Sequence, residues 1–304
     1  MKKFWKVLII LAIILLVLSI VIILEFFREL SLLSKSKNRI IDDNGIPFTD
    51  YKTIEGIYIG KQRNPVISSM FAISYYDDYV ITGNETAKLF FFSNADWLVS
   101  YSKLRGNYSI YEYEFPWPKY NLPLFWTDGM AQGKAIQVLL KAHELSNDQK
   151  YLDEARLLLN AFFVDVKDGG VTYKTEDEGW WYEHYAHKEG KAPRVLNGHI
   201  FSLLGIYDYY EYTKDPDAKF LFEQGVIALK KDLSNYDYDG YSTYDAIGNP
   251  SRNYHKLHQE LLGEMYTLTN EEIFNEYMKK WEKCDDWCQF YHRHMDKFIL
   301  TNFF

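Results

Sequence analysis

Residues 146–162 read Ser146-Asn147-Asp148-Gln149-Lys150-Tyr151-Leu152-Asp153-Glu154-Ala155-Arg156-Leu157-Leu158-Leu159-Asn160-Ala161-Phe162, and their order decides the fold. A Ser-Asn-Asp turn ends one helix and an acidic first turn opens the next. Apolar residues then recur every three or four positions, at Tyr151, Leu152, Ala155, Leu158, Leu159 and Phe162, the spacing of one helix face. The same arrangement returns at Thr82-Gly83-Asn84-Glu85, Thr213-Lys214-Asp215-Pro216 and Thr269-Asn270-Glu271-Glu272. Each turn follows a helix rich in Tyr, His or Leu, such as Tyr75-Tyr76-Asp77-Asp78-Tyr79 or Ile206-Tyr207-Asp208-Tyr209-Tyr210, and after the last one Ile273, Phe274, Tyr277 and Trp281 repeat the apolar spacing. Helical hairpins joined by long loops, at intervals too long and uneven for a tetratricopeptide-like solenoid, predict an all-α chain. The expected architecture is an α/α toroid, an incomplete α/α barrel whose loops crowd one end and build a cleft. Chemistry is expected in those loops: Phe115-Pro116-Trp117-Pro118, Asp168-Gly169-Gly170-Val171 through Tyr185, and Tyr236 through His258.

Outward from this region the chain changes character. Residues 7–24 form an unbroken apolar run behind Lys2, Lys3 and Lys6. Eighteen residues at about 1.5 Å rise approach the roughly 30 Å hydrocarbon thickness, with Trp5 and Phe26-Phe27 placed for the interfaces. The lysines keep the N-terminus in the cytoplasm, so a membrane-anchored, single-pass protein with an extracytoplasmic catalytic domain is expected. The chain after Leu24, Glu-Phe-Phe-Arg-Glu, lacks the small-residue site of a cleaved signal peptide. Residues 1–29 therefore read as cytoplasmic stub and anchor, 30–63 as a linker with turn signals at Asp42-Asp43-Asn44-Gly45, Gly56 and Gly60, and 64–304 as the catalytic domain.

The formal charge is −8, and because the three N-terminal lysines fall before the span it is −11 beyond them. An acidic domain repels nucleic acid and densely sulfated chains, so an anionic partner must be sparsely charged or meet a local basic pocket. Aromatic residues make up 18% of the chain, including 26 Tyr and 8 Trp. This excess fits a cleft that stacks on sugar rings, and equally an AT-rich codon bias. The cysteines, Cys284 and Cys288, sit four apart and pair only at a frayed helix end; with no His or Cys at ligand spacing around them, no metal is expected. Neither a phosphate-binding glycine loop nor a nucleophile elbow occurs.

Four collinear segments carry a resemblance: Met130-Ala131-Gln132-Gly133; Trp181-Tyr182-Glu183-His184-Tyr185; Val195-Leu196-Asn197-Gly198 with Gly205-Ile206-Tyr207-Asp208; and Tyr244-Asp245 with Tyr254-His255-Lys256-Leu257-His258. Together they resemble the C-terminal catalytic domain of D-glucuronyl C5-epimerases, over residues 64 to 283. The resemblance implies a cofactor-independent isomerase that turns D-glucuronate into L-iduronate within a uronate-containing polysaccharide. Such chemistry removes a proton α to a carboxylate and returns one to the opposite face of the ring, so two proton-transfer groups must flank it. Carried over residue by residue, the tyrosines are Tyr185, Tyr244 and Tyr254. The family pattern Tyr-Glu-Glu-Tyr-Pro reads Tyr182-Glu183-His184-Tyr185-Ala186 here, which makes Glu183 and His184 the candidates for the base. Gln132, Trp181, Asn197, Arg252, His255 and His258 are the candidate substrate-binding residues.

Two further departures stand out. Asp128 and Lys134 flank Met130–Gly133 where the family usually has small and amide residues. Ala246-Ile247-Gly248 follows Tyr244-Asp245 where animal members carry an Arg, a role for which Arg252 is the nearby candidate. A polysaccharide lyase, which begins with the same proton abstraction, and a catalytically inactive membrane-tethered polysaccharide-binding protein remain as alternatives; a glycoside hydrolase would need a carboxylate pair for which no motif speaks. The apolar run makes its own prediction: the full-length chain should resist carbonate extraction from membranes, and external protease should remove nearly everything after residue 30. A mature N-terminus found between residues 20 and 35 would instead show a signal peptide.

Overall fold

The structure, a computed structural model, describes residues 39–190 and 192–284. The candidate membrane span at 7–24 and Cys288 lie outside the described residues; among those described, no helix is long and apolar enough to cross a membrane. The chain divides into the units Met1–Ile40 and Ile41–Phe304, and every helix among the described residues belongs to the second.

Among the described residues, eight α-helices form four hairpins: α1 (Pro65–Thr82) with α2 (Glu85–Tyr101), α3 (Gly129–Ser146) with α4 (Gln149–Asn160), α5 (Leu196–Thr213) with α6 (Pro216–Asp232), and α7 (His255–Thr269) with α8 (Glu272–Glu282). All four turns expected from the sequence join the helices of a hairpin. Each first helix ends on a residue in the left-handed region, Gly83, Asn147, Lys214 or Asn270. Its N–H donates to the carbonyl four residues back, on Tyr79, His143, Tyr210 or Tyr266, satisfying a helix-end acceptor. The side chains of Asn84, Asp148 and Asp215 then cap the second helices by accepting from their first-turn N–H groups. Glu271 reaches no such bond.

The odd-numbered helices pack on one another in chain order, α1 on α3, α3 on α5 and α5 on α7, while each even-numbered helix packs on its own partner. This is the inner and outer layering of an α/α toroid. The middle pair, α3 and α5, is buried on most sides because it sits between neighbours. Their crossing depends on two glycines: a Cβ on Gly205 would lie 2.2 Å from the Gly133 carbonyl oxygen, and one on Gly133 would lie 2.7 Å from that of Phe201. The glycines of Met130–Gly133 and Gly205–Asp208 thus set the helix approach.

The connections between hairpins, 102–128, 161–195 and 233–254, all return to the end at which the inner helices begin. They carry short antiparallel ribbons, Glu112–Tyr113 with Trp126–Thr127, Thr172–Lys174 with Trp180–Tyr182, and Asp237–Tyr238 with Tyr241–Ser242. Single bridges stitch the connections together, Thr127 to Ala186 and Val195 to Asp245. Residues 41–63, expected as a linker, instead belong to the compact unit and hold short paired strands. They are held by side chains: the Arg63 guanidinium donates to Asp42, and Tyr51 packs between Phe115 and Trp117. Strands of two to four residues leave little periodicity to read in the sequence.

At this end Glu183 is buried completely. Its Oε1 accepts from the N–H groups of His184 (2.9 Å) and Tyr185 (3.2 Å), and Oε2 accepts from that of Arg194 (2.9 Å). Its own carbonyl accepts from Gly129 N–H at the start of α3. Burial pushes the Glu183 carboxyl up to about 7, against partial lowering by these donors.

This packing has two measurable consequences for stability. Gly205→Ala should destabilise the fold by about 2 kcal/mol or more, read as a lower midpoint in thermal or urea unfolding, because its Cβ meets backbone that cannot yield. An acid ionising near 4.5 unfolded and near 7 folded stabilises the fold fully below the lower value and loses that contribution as pH rises through the upper one. Comparing parent and Glu183→Gln from pH 4.5 to 7, the variant should show a pH dependence shallower by about 3 kcal/mol.

Candidate functional site

Asp128 is the N-cap of α3: Oδ1 accepts from Ala131 N–H, and Oδ2 accepts from the Tyr113 hydroxyl at 3.0 Å. Oδ1 also lies 2.7 Å from Nδ1 of His184, with the Asp128 side chain 1% exposed and that of His184 12% exposed. A buried carboxylate at that distance selects the tautomer with the proton on Nδ1, leaving the Nε2 lone pair for other use. Gly198, at the start of α5, makes room for this ring, since a Cβ there would fall 2.5 Å from the His184 Cβ.

The tyrosines gather beside it. The Tyr185 ring lies 4.1 Å from that of His184 and stacks on Trp117 at 5.5 Å. Tyr244 arrives beside it from the third connection and adds, after burial, to the raising of the Tyr185 hydroxyl. Tyr254, 42% exposed just ahead of α7, lies 5.1 Å from the Tyr244 ring. Burial pushes the hydroxyls of Tyr185 and Tyr244 well above the usual tyrosine range, so both stay protonated at neutral pH. Behind them Tyr120 donates its hydroxyl to Asp245 at 2.7 Å, and Asn249 donates to the same carboxylate. The turn Pro118–Tyr120 also brings the Lys119 ammonium to 4.8 Å from the Tyr244 ring centroid.

The structure therefore brings His184, Tyr185, Tyr244 and Tyr254 together and places Glu183 beneath them. The other sequence candidates fall differently. Gln132 is buried and spends its amide on backbone, accepting from Tyr111 N–H and donating to the Ser109 carbonyl. Trp181 is 2% exposed and stacks on His199 at 4.0 Å in the core. His255 and His258 are fully buried around Ser242, and burial lowers His258 to about 3, so that it stays neutral. Asn197, 3% exposed in the first turn of α5, has a side-chain oxygen with no hydrogen-bond partner. The Arg252 side chain lies outside the described residues. Among those described, no group of three or more His, Cys, Asp or Glu side chains is arranged to hold a metal ion.

Sequence reasoning passed over Asp128, Trp117, Lys119 and Tyr120 as site residues. One signal was present: Asp128 and His184 are both positions where the sequence departs from the pattern it otherwise resembles, and their side chains touch.

The family described as "D-glucuronyl C5-epimerase C-terminus" matches residues 105–283. A D-glucuronyl C5-epimerase of Caenorhabditis elegans is 34% identical over 213 residues, 63% of this chain and 34% of that protein, so the chain spans about a third of the nematode enzyme. An uncharacterized protein of Methanocaldococcus jannaschii is 30% identical over 80% of this chain and 84% of its own length. The structure superposes on an α-mannanase of glycoside hydrolase family 76 from Bacteroides thetaiotaomicron with TM-score 0.51 and 14% identity, over 82% of this chain and 63% of that one, a likeness of fold. Four helical hairpins, the tyrosine and histidine cluster at their loop end and a match over more than half the sequence lead to one conclusion: this chain belongs to the D-glucuronyl C5-epimerase C-terminus family.

Proposed function

We propose that the protein inverts C5 of uronate residues within an acidic polysaccharide, with His184 as the base and a tyrosine as the acid, on the outer side of a membrane to which residues 7–24 tether it. The observation that carries this reading is the 2.7 Å contact between His184 Nδ1 and buried Asp128. It fixes the ring, stabilises the imidazolium that forms, and leaves Nε2 to take the C5 proton. The bonding electrons move into the C5–carboxylate system as an enediolate. A tyrosine hydroxyl from the 244–254 loop then delivers a proton to the opposite face, and proton exchange with solvent resets the imidazolium and the phenolate. The raised hydroxyl of Tyr244 suits it to donating rather than accepting. Glu183, with three backbone donors on its two oxygens, is engaged in shaping the loop. No step requires a cofactor.

The test is deuterium incorporation at C5 when the full-length chain meets uronate polymers such as hyaluronan, polygalacturonate and polymannuronate in deuterated buffer. His184→Ala should abolish exchange, and Tyr254→Phe, which keeps the ring and removes the hydroxyl, should slow it by about 10². Because the donor must be protonated and burial raises Tyr244, the alkaline limb of the rate should lie above about pH 10. Chain shortening with an ultraviolet-absorbing unsaturated product would identify a lyase. Normal exchange in His184→Ala would remove the proposed base, and normal exchange in both Tyr244→Phe and Tyr254→Phe would remove the proposed acid.

A further inference from the structure

A groove of about 280 Å³ lies between the first connection and the second, with Leu124, Phe125 and Val166 in its apolar lining and Glu112, His187 and Lys188 among its polar groups. Thr127 and Ala186 also line it, and they exchange backbone hydrogen bonds at 2.8 and 2.9 Å, while the Thr127 hydroxyl donates to the Gly170 carbonyl at 3.0 Å. The groove is therefore built before any ligand arrives. It shares a wall with the tyrosine cluster: Trp126, between Phe125 and Thr127, packs on Tyr185 at 5.4 Å, and Ala186 follows Tyr185 directly.

Phe125 is a residue that the fold itself does not explain. Its backbone lies in the left-handed region, at φ 68°, which a bulky side chain adopts only at a cost. The ring is 56% exposed and belongs to neither apolar cluster. Its N–H donates to the Tyr113 carbonyl at 2.7 Å, a bond most residues could make. Leu124 beside it is 45% exposed. Apolar surface held open on a strained backbone points to something that docks on it.

The polar groups define that occupant. Lys188 is exposed and enters no ion pair among the described residues. His187 accepts the Glu189 N–H on Nδ1, so its proton sits on Nε2 as a donor. Glu112, the carboxylate in the lining, is neutralised by the Arg105 guanidinium, which reaches both its oxygens at 2.8 and 3.0 Å. An apolar face, a ring N–H and an uncompensated ammonium together suit an anionic sugar. We propose that this groove binds a second uronate of the same polysaccharide chain, its ring face on Phe125 and its carboxylate on Lys188. The assignment rests on the reading of the substrate as a uronate polymer and extends it from the reacting sugar to the flanking chain, whose binding energy an enzyme can use at the reacting centre.

Equilibrium binding to the full-length chain reads this apart from turnover, using two ladders of oligosaccharides, hyaluronan and oligogalacturonate, each from disaccharide to hexasaccharide. On at least one ladder the parent should gain about tenfold in affinity with length, the scale of one added contact. Phe125→Gly removes the ring and should erase that gain without lowering the unfolding midpoint, since relief of the left-handed backbone offsets glycine's greater freedom when unfolded. Lys188→Gln should remove the part of the gain that added salt screens. A parent whose affinity does not grow with length on either ladder, or a Phe125→Gly variant that keeps the gain, overturns the proposal. A gain lost in Phe125→Gly from a protein that exchanges no C5 proton leaves the groove standing and removes the epimerase reading. Exchange at C5 with no gain from length does the reverse.

Discussion

A carboxylate without exposed surface holds the loop end of this molecule together. Glu183 accepts from three backbone N–H groups of its own connection, and its carbonyl anchors the first turn of α3. Unpaired, those donors would each cost about 1–3 kcal/mol to bury, so one side chain settles most of the loop's polar requirements. The cost appears in its own ionisation, pushed up to about 7 by the same burial. His184 and Tyr185 are the next two residues, and their positions follow from how Glu183 is held.

The helices contribute through close approach. Small residues at 133 and 205 let α3 and α5 come together, and Gly198 lets the first turn of α5 accept the His184 ring. A methyl group at any of the three would meet atoms closer than contact distance, so the site's geometry reaches back into the helix packing. The aromatic excess also finds a structural use. Tyr113 and Trp126 stack at 3.8 Å, and with Phe115, Tyr120 and Leu122 they form a second apolar cluster against which Trp117 and Tyr185 pack. The loops thus rest on a small core of their own, which gives their side chains fixed rotamers without regular secondary structure.

The exchange of a carboxylate for histidine at the expected base position is chemically coherent in this setting. An imidazole needs an acceptor to define its tautomer, and Asp128 supplies one from a position already suited to acid as a helix cap. One residue therefore caps a helix, orients a ring and accepts the Tyr113 hydroxyl.

The sequence by itself determined the hairpins, because turn chemistry and apolar spacing are local: a left-handed residue followed by a side-chain cap ends one helix and starts the next wherever it occurs. Even Lys214, which gains nothing from its left-handed backbone, obeys the pattern because its neighbours demand it. The motifs likewise located the loop end and its tyrosines. Only the tertiary structure decided which motif residues face outward. Gln132 and Trp181 lie close in sequence to site positions yet point into the core, and His255 and His258 come just after Tyr254 yet are buried around Ser242. Asp128 and His184 stand 56 positions apart, and Tyr120 and Asp245 stand 125 apart. Those contacts depend on how three separate connections fold back over the inner helices, and no local pattern in the chain encodes that meeting.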